Sequence, residues 1–436
     1  MGKHQDLNPP DTPFRRKPSR RSFLRQTGLG VAALAVLDRL DGARRLFADE
    51  LTAAANVGAN LGAPGTASSY SLSPGVKYLN HASIGTVPRM VQDAHRRYIE
   101  TCEGNPWLHV WSDAWVEPMD TVRHHAAELL GCAVDEVILP HNTTEVFNVL
   151  AQGLPLGPGD EVLMSTLNHS GASECWFHQA KARGFTVRRF DFPVADAPTL
   201  DAGALVDLHE AQITPKTRVL VVPHVDNSVG LRHPLAALAS MAKAKGVRWI
   251  AVDGAQTAGM VDLDLTGVDV YATSGHKWIQ GPKETGLGFI HSDLHDVLRP
   301  MWVTWGQKSW HGTARAFEDY GTRDFPSLLA LGDAITFQRS IPAEVREARH
   351  RQLWQATRDA VERRPRVRWC SPNAWEDGAA LYAIGVETPS RQLFEQLFRE
   401  HGYVVRPFET EHLNTLRLSP NLFNTIEEIE GLLDLC

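Results

Sequence analysis

Short apolar runs that end in polar residues alternate with helical patterns along residues 76–300. Glu161–Ser165 and Val219–Val225 have the length and composition of buried strands, and a polar loop follows each of them. Pro234–Lys245 instead has apolar residues at the spacing of a helix. This alternation predicts an α/β fold in which helices cover both faces of a mainly parallel sheet. Functional residues are then expected where the strands end.

The C-terminal part of the chain has a different pattern, which predicts a smaller α+β domain. We expect a large domain over residues 76–320, and a crossing segment with the small domain over residues 321–436. The predicted elements of the small domain are helices at Pro342–Arg363 and Ser390–His401, and strands at Val367–Cys370, at Ala379–Val386 and around Val404 and Leu416.

The composition agrees with two domains and argues against a membrane-spanning protein and against a metal site. The chain has 436 residues, 43% of them apolar, which exceeds the usual size of a single core. It contains no apolar run near the ~18 residues that span a bilayer, so no integral membrane segment is expected. Its five cysteines show no metal-ligand spacing, so no metal site is predicted.

The N-terminus carries a targeting signature. Ser19–Arg25 reads Ser-Arg-Arg-Ser-Phe-Leu-Arg, which is typical of twin-arginine export, and the weakly apolar stretch Thr27–Leu37 follows. An arginine-rich tail without this role is the alternative. We predict a signal region at residues 1–48, cleaved near Ala48, and a linker rich in Ala, Gly and Ser at residues 49–75. The protein is expected to be periplasmic or secreted, with the twin-arginine machinery as a partner.

Charge divides the chain at the same place. Up to Ala48 the chain has ten Lys/Arg and four Asp/Glu, so this part is +6, and the remainder is (44 − 10) − (51 − 4) = −13. An acidic mature protein gives no reason to expect nucleic-acid binding.

Lys277 and Asp253 form the most informative pair in the sequence. Lys277 lies in Ser-Gly-His-Lys-Trp just after an apolar run, and Asp253 ends another run 277 − 253 = 24 residues earlier. A buried lysine with a lowered pKa can form a Schiff base with an aldehyde cofactor, and an aspartate can keep the pyridine nitrogen of that cofactor protonated. Either residue alone is usually a surface charge or a turn. Together they predict a site for pyridoxal 5′-phosphate (PLP).

On these residues and the motifs below, the chain resembles the class V aminotransferase family of fold type I PLP enzymes, from about Tyr78 to the C-terminus. It is most similar to the isopenicillin N epimerase-like branch. The resemblance implies a seven-stranded type of sheet, with Lys277 and Asp253 in catalysis. It also implies that His169 lies over the cofactor ring and that Asn227 and Gln256 approach its phenolic oxygen. The implied phosphate ligands are Thr143, Thr144, Ser274 and His276.

Each of these residues also has an ordinary structural explanation. Thr143 and Thr144 open a helical pattern, where a threonine often serves only as an N-cap and where backbone N–H groups can also bind phosphate. Most histidines at the start of a loop, like His169, only make local hydrogen bonds. Only the shared order of the motifs along the chain favours the functional interpretation.

The resemblance further implies a homodimer with shared active sites. Thr322, in Gly-Thr-Arg-Asp, corresponds to the segment that crosses to the phosphate of the other subunit. Arg417 is the expected clamp for a substrate carboxylate, since a guanidinium can pair with both oxygens, although a structural salt bridge is equally open. Arg406 would add a second positive charge. The first strand and its loop place Asn80 and His81 beside the substrate.

The expected function is that of an exported PLP-dependent enzyme, aminotransferase-like, acting on the amino group or α-carbon of an amino acid residue. The expected substrate is an amino-group-bearing small molecule or peptide, and a siderophore precursor is one candidate. This plan is similar to that of an exported PLP enzyme that tailors the pyoverdine side chain. An amino acid epimerase or a carbon–sulfur lyase is one alternative. A non-catalytic periplasmic ligand-binding protein is another.

One departure from the family argues against a desulfurase that forms a persulfide. Such enzymes carry a mobile cysteine between the residues that match Arg406 and Arg417, and residues 407–415 here contain none. Glu409 and Glu411 lie in that segment instead. They would favour a cationic or amide-bearing ligand, or they form a solvated loop.

Overall fold

A computed structural model of the chain describes residues 65–410 and 412–436. The predicted signal region and most of the predicted linker therefore lie outside the described residues, as does Glu411. The strands are β1 (Lys77–Tyr78), β2 (Val137–Ile138), β3 (Glu161–Ser165), β4 (Thr186–Phe190), β5 (Thr217–Pro223), β6 (Trp249–Asp253), β7 (Val270–Ser274), β8 (Gly286–Ile290), β9 (Val367–Trp369), β10 (Tyr382–Val386), β11 (Tyr403–Val404), β12 (Arg406–Glu409) and β13 (Asn414–Leu418).

Helices surround these strands, and several begin with a side-chain cap. Asn142, for example, accepts from the backbone N–H of Glu145 at 3.1 Å, and this bond starts the helix at Thr143. The α-helices are α1 (Arg89–Gly104), α2 (Val116–Leu130), α3 (Thr143–Gly153), α4 (Ser170–Arg183), α5 (Ala202–Glu210), α6 (Leu235–Ala244), α7 (Gly306–Ser309), α8 (Phe325–Arg339), α9 (Ala343–Glu362), α10 (Ser390–His401) and α11 (Ile426–Leu433).

The large sheet confirms the predicted α/β architecture. Its seven strands lie in the order β2-β8-β7-β6-β5-β3-β4. The five strands from β7 to β4 are parallel, and β8 and β2 add two antiparallel pairs at one edge. All five residues of β3 and of β7 are buried, because helices cover both faces of the sheet. A crossover between parallel strands brings each carboxyl end to the same edge, where the polar loops meet.

The smaller domain confirms the second part of the prediction. Its antiparallel sheet has the order β12-β13-β10-β9; α9 packs against β9 and α11, and α10 packs against β12 and β13. The predicted helix at Ser390–His401 is found with those bounds, and the long helix spans Ala343–Glu362. Buried Leu353, Tyr382 and Leu416 form part of the domain's core.

Two further features position the site. β1 pairs in parallel with β11, so the chain enters the fold beside the small domain. The loop after β1 continues toward the ends of the large-sheet strands, where the N–H of Gly85 donates to the carbonyl of His276 at 2.8 Å. Among the described residues, no helix is both long and apolar enough to cross a membrane.

Candidate active site

A cavity of about 390 Å³ lies at the carboxyl ends of the large-sheet strands. It collects most of the residues that were predicted from the sequence. The predicted residues that line it are Thr143, Thr144, His169, Asn227, Asp253, Gln256, Ser274, His276, Lys277, Arg406 and Arg417.

Lys277 and Asp253 face this cavity from neighbouring strands. Asp253 is the last residue of β6, and Lys277 lies in the turn three residues after the end of β7. The Asp253 carboxylate also accepts from the N–H of Ala255 at 3.0 Å, which orients it. Burial lowers the pKa of Lys277 to about 8, Asp253 opposes this shift, and Arg417 adds to it. The amine is therefore partly neutral, and thus nucleophilic, near neutral pH.

Hydroxyl and backbone donors form an anion site at the N-terminus of α3. Thr143 Oγ1 lies 2.9 Å from Ser274 Oγ, and Thr144 lines the cavity beside them. Burial lowers the pKa of His276 to about 4, so its imidazole is neutral, and its Nδ1 has no hydrogen-bond partner among the described residues. Free N–H groups and the positive end of the helix dipole favour a phosphate at such a place.

His169 immediately precedes α4, and its tautomer follows from a local bond. Its Nδ1 accepts from the N–H of Gly171 at 3.1 Å, so the neutral ring carries its proton on Nε2. Burial lowers the pKa of His169, although Asp253 opposes this shift. A neutral ring at this position can lie against a flat ligand and donate from Nε2.

Arg417 is 2% exposed, and its hydrogen-bond acceptors among the described residues are all neutral groups. Its Nη1 donates to the carbonyl of Asn227 at 2.7 Å, and its Nη2 donates to Asn80 Oδ1 at 2.9 Å and to Ser83 Oγ at 2.7 Å. Burial, reinforced by Arg406, lowers the pKa of Arg417, but a guanidinium stays charged at neutral pH. Asp226 acts on Arg417 electrostatically, but none of the residues in the described ranges forms a salt bridge with it, so the guanidinium can still pair with an anionic ligand.

Three predicted residues do not line this cavity. Asn80 lies behind Arg417 and holds it, as described above. His81 is fully buried, with its Nε2 2.9 Å from Thr86 Oγ1. Its backbone N–H donates to the carbonyl of Ser419, which pairs this loop with the end of β13 and turns the ring into the core. The geometry therefore gives no support to the prediction that His81 contacts the substrate.

Thr322 is the third of these residues. It is exposed and lines a separate cavity of about 560 Å³, together with Trp111, Trp305 and Arg323. Its predicted contact with the cofactor of another subunit is not tested by a single chain and stays a prediction.

Gln256 lines the cavity, but both ends of its amide are already bonded. Its Nε2 donates to the carbonyl of Ala82 at 2.9 Å, and its Oε1 accepts from Trp278 Nε1 at 2.8 Å. Asn227 is held in a loop organised by buried Asp226, whose carboxylate accepts from the N–H groups of Ser228 and Val229 at 2.7 and 3.0 Å. Both predicted residues are thus fixed before any ligand arrives.

Seven residues of the cavity wall were not predicted as site residues, among them Asn142, Gly171, Phe408 and Ser83. Asn142 could have been found as the cap before the two threonines. Gly171 is required because a Cβ atom there would lie 2.5 Å from Thr144 Oγ1. Phe408, whose ring centroid lies 5.6 Å from Cζ of Arg417, and Ser83 had no local signal, since each reaches the site only through the packing of the two domains.

Known proteins are similar to this chain over most of its length. Isopenicillin N epimerase of Amycolatopsis lactamdurans is 32% identical over 384 residues, which cover 83% of this chain and 94% of that protein. A probable cysteine desulfurase of Pseudomonas aeruginosa is 32% identical over 389 residues, covering 82% and 92%. The solved structure of a C-DES variant with glycine covalently linked to its PLP cofactor has the same fold, with a TM-score of 0.73, 24% identity and coverage of 82% of this chain and 95% of that one.

The family model described as "Aminotransferase class-V" matches residues 77–432. This match covers both sheets and every residue of the cavity wall. The chain therefore belongs to the class V aminotransferase family.

Proposed function

We propose that this protein is an exported PLP-dependent enzyme, aminotransferase-like, that acts on the amino group or α-carbon of an amino acid residue in a peptide or siderophore precursor. One observation carries the proposal. Lys277, with its pKa lowered to about 8, faces the same cavity as the carboxylate of Asp253 and the buried Arg417.

The residues present fit PLP. The cofactor needs an amine for its aldehyde, an acid for its pyridine nitrogen and an anion site for its phosphate. Lys277, Asp253 and the anion site at α3 supply these three, and the unpartnered Nδ1 of His276 leaves a buried polar atom for a ligand. When bound, PLP supplies an electron-withdrawing ring that stabilises negative charge on a substrate carbon.

Three side chains of the protein move the proton, protonate the ring nitrogen and orient the substrate. Nζ of Lys277 takes the proton from the α-carbon of the substrate, because its lowered pKa leaves it neutral for part of the time. Asp253 holds a proton on a basic ring nitrogen beside it. Arg417 binds the substrate carboxylate and so orients the bond to the proton.

Epimerisation is the second candidate, and the epimerase name of the Amycolatopsis relative favours it. An epimerase would use the same residues to remove the proton, and it would need a proton donor on the opposite face of the same carbon to return it. A carbon–sulfur lyase could use the same residues and is a further alternative. A persulfide-forming desulfurase is not favoured, because none of the five cysteines lines the cavity. A non-catalytic ligand-binding protein would not need a buried lysine with a lowered pKa, so Lys277 argues against that alternative.

The proposal includes export and a homodimer. Ser19–Arg25 supports export by the twin-arginine pathway, which carries folded proteins and so suits an enzyme that binds its cofactor in the cytoplasm. Thr322 of each protomer reaches the phosphate site of its partner. Its exposure, away from its own cofactor cavity, is what supports this arrangement.

Absorbance spectroscopy of the purified protein, supplied with PLP, tests the proposal. We expect a visible band, and borohydride should bleach it and leave a mass adduct on Lys277. The Lys277→Ala variant should have no such band or adduct. Lys283→Ala is the matched control, because Lys283 is a nearby lysine that donates to the carbonyl of Gly85 and does not line the cavity.

A wild-type protein without the band would favour the binding-protein alternative. If the band forms, a panel of amino acids and peptides separates the reactions. Keto-acid release indicates transamination, inversion without net loss of substrate indicates epimerisation, and sulfide release indicates lysis.

A further inference from the structure

The hydrogen bonds of Gln256 define the orientation of its amide group. Trp278 Nε1 lies 2.8 Å from one end of the amide, and the carbonyl oxygen of Ala82 lies 2.9 Å from the other. An indole N–H can only donate, and a carbonyl oxygen can only accept. Both neighbours are therefore satisfied by the same orientation of the Gln256 amide, with Oε1 toward the indole and Nε2 toward the carbonyl of Ala82.

A flipped amide would lose both bonds. It would put an N–H group against the indole N–H, and a carbonyl against the carbonyl of Ala82. Gln256 and Trp278 are 3% and 1% exposed, so water could not compensate these groups. After the two bonds are made, the amide keeps one N–H for a ligand in the cavity that it lines.

We propose that Trp278 is a positioning residue, which holds Gln256 so that the amide donates its remaining N–H to the phenolic oxygen of PLP. This inference rests on the proposed function for the cofactor and goes beyond it in assigning a role to Trp278. Trp278 itself is not a catalytic residue, because it does not line the cavity.

The packing around Trp278 makes it rigid enough for this role. Its ring lies 6.3 Å from the ring of His81 and 5.8 Å from the ring of His350, the latter at 81°. It also directly follows Lys277 in the chain, so the indole and the amine share one turn of backbone. The buried His81, which does not reach the cavity, thereby acts as part of the support for Gln256.

The pH titration of the visible absorbance of the PLP-loaded protein provides the test. A donor to the phenolic oxygen favours its deprotonated form, so losing that donor should raise the pKa of the absorbance transition by about one unit. Trp278→Phe keeps an aromatic ring but removes the N–H, and Gln256→Leu removes the amide. Each substitution should raise the pKa of the absorbance transition. The double variant with both substitutions should shift this pKa no further than Gln256→Leu alone.

Trp354→Phe is the matched control. Trp354 is also buried, but its Nε1 has no hydrogen-bond partner among the described residues, so this variant should leave the transition unmoved. If Trp278→Phe cannot be recovered folded, Trp278→Leu carries the test. Leucine is apolar and cannot donate to Gln256, so the pKa of the absorbance transition should rise.

Three results overturn the inference: an unchanged transition pKa in Trp278→Phe, additive shifts in the double variant, or an unchanged transition pKa in Trp278→Leu. These results differ from a failure of the proposed function, which would appear as a wild-type protein with no cofactor band to titrate.

Discussion

Nη1 of Arg417 donates to the carbonyl oxygen of Asn227 at 2.7 Å, and this bond joins the small antiparallel sheet to the loop after β5 of the large sheet. Arg417 lies on β13, where its cross-strand partner is Arg406. Two arginines side by side repel each other, and the neutral partners of Arg417 do not cancel its charge. The junction of the two domains is therefore built to receive an anion.

Replacing Arg417 with lysine should separate charge from geometry. The ammonium keeps the charge but loses the planar fork, so we expect kcat/KM for a substrate with a free carboxylate to fall on the order of a hundredfold. For the same substrate with a carboxamide in place of the carboxylate, kcat/KM should fall only slightly. Arg364→Lys, which alters an exposed pair with Asp434, is the control and should change neither value. Equal losses for the acid and the amide would argue against a carboxylate clamp.

The pH dependence of cofactor capture should follow Lys277. The rate at which apoprotein forms a borohydride-fixable adduct with PLP should rise with pH and level off above about 8, because only the neutral amine attacks. Asp253 favours the charged amine, so Asp253→Asn should move this rise to lower pH. Stopped-flow absorbance at several pH values measures it. A shift to higher pH in Asp253→Asn would contradict the electrostatic assignment.

Acid should destabilise the fold through buried histidines such as His350. Burial lowers the pKa of His350 to about 3 from an ordinary 6.5, so the unfolded state binds more protons between these values. Stability therefore falls as the pH drops through that window. The part due to His350 is about 2 kcal/mol at pH 5.

Urea unfolding of His350→Gln at pH 7 and at pH 5 measures this effect. From pH 7 to pH 5 the free energy of unfolding should fall by about 2 kcal/mol less in the variant than in the wild type. His311→Gln is the control, because the side chain of His311 is 78% exposed and stays in water in both states. An unchanged pH dependence in His350→Gln would show that this histidine does not contribute.

Exposed tryptophans beside Thr322 should form part of the dimer interface. Trp111 and Trp305 are 67% and 71% exposed and line the same cavity as Thr322, and a large exposed apolar surface is typical of an interaction site. Trp111→Ser combined with Trp305→Ser should yield monomers by light scattering. Phe398→Ser, which changes an exposed residue on α10, should leave the dimer intact. An unchanged mass in the double variant would place the interface elsewhere.

Much of the fold could be read from local pattern. The runs at Glu161–Ser165 and Ser390–His401 have the bounds of β3 and α10. A strand buried on both faces has an apolar centre, here between two polar ends, and the side chains of a helix repeat every 3.6 residues. β1 and β11 are only two residues long. Such short strands have no periodicity of their own, so their pairing could not be predicted.

The sequence by itself determined which chemical groups meet at the strand ends. Lys277, Asp253 and Thr143 each follow an apolar run, and parallel strands bring such positions to one edge. Only the tertiary structure decided where other polar residues point. Asn80 and His81 are neighbours in one loop, yet one holds Arg417 and the other is turned into the core by Ser419, more than 300 residues away in the chain. Side-chain direction in a loop depends on what packs against it, and that information is not present in the local pattern.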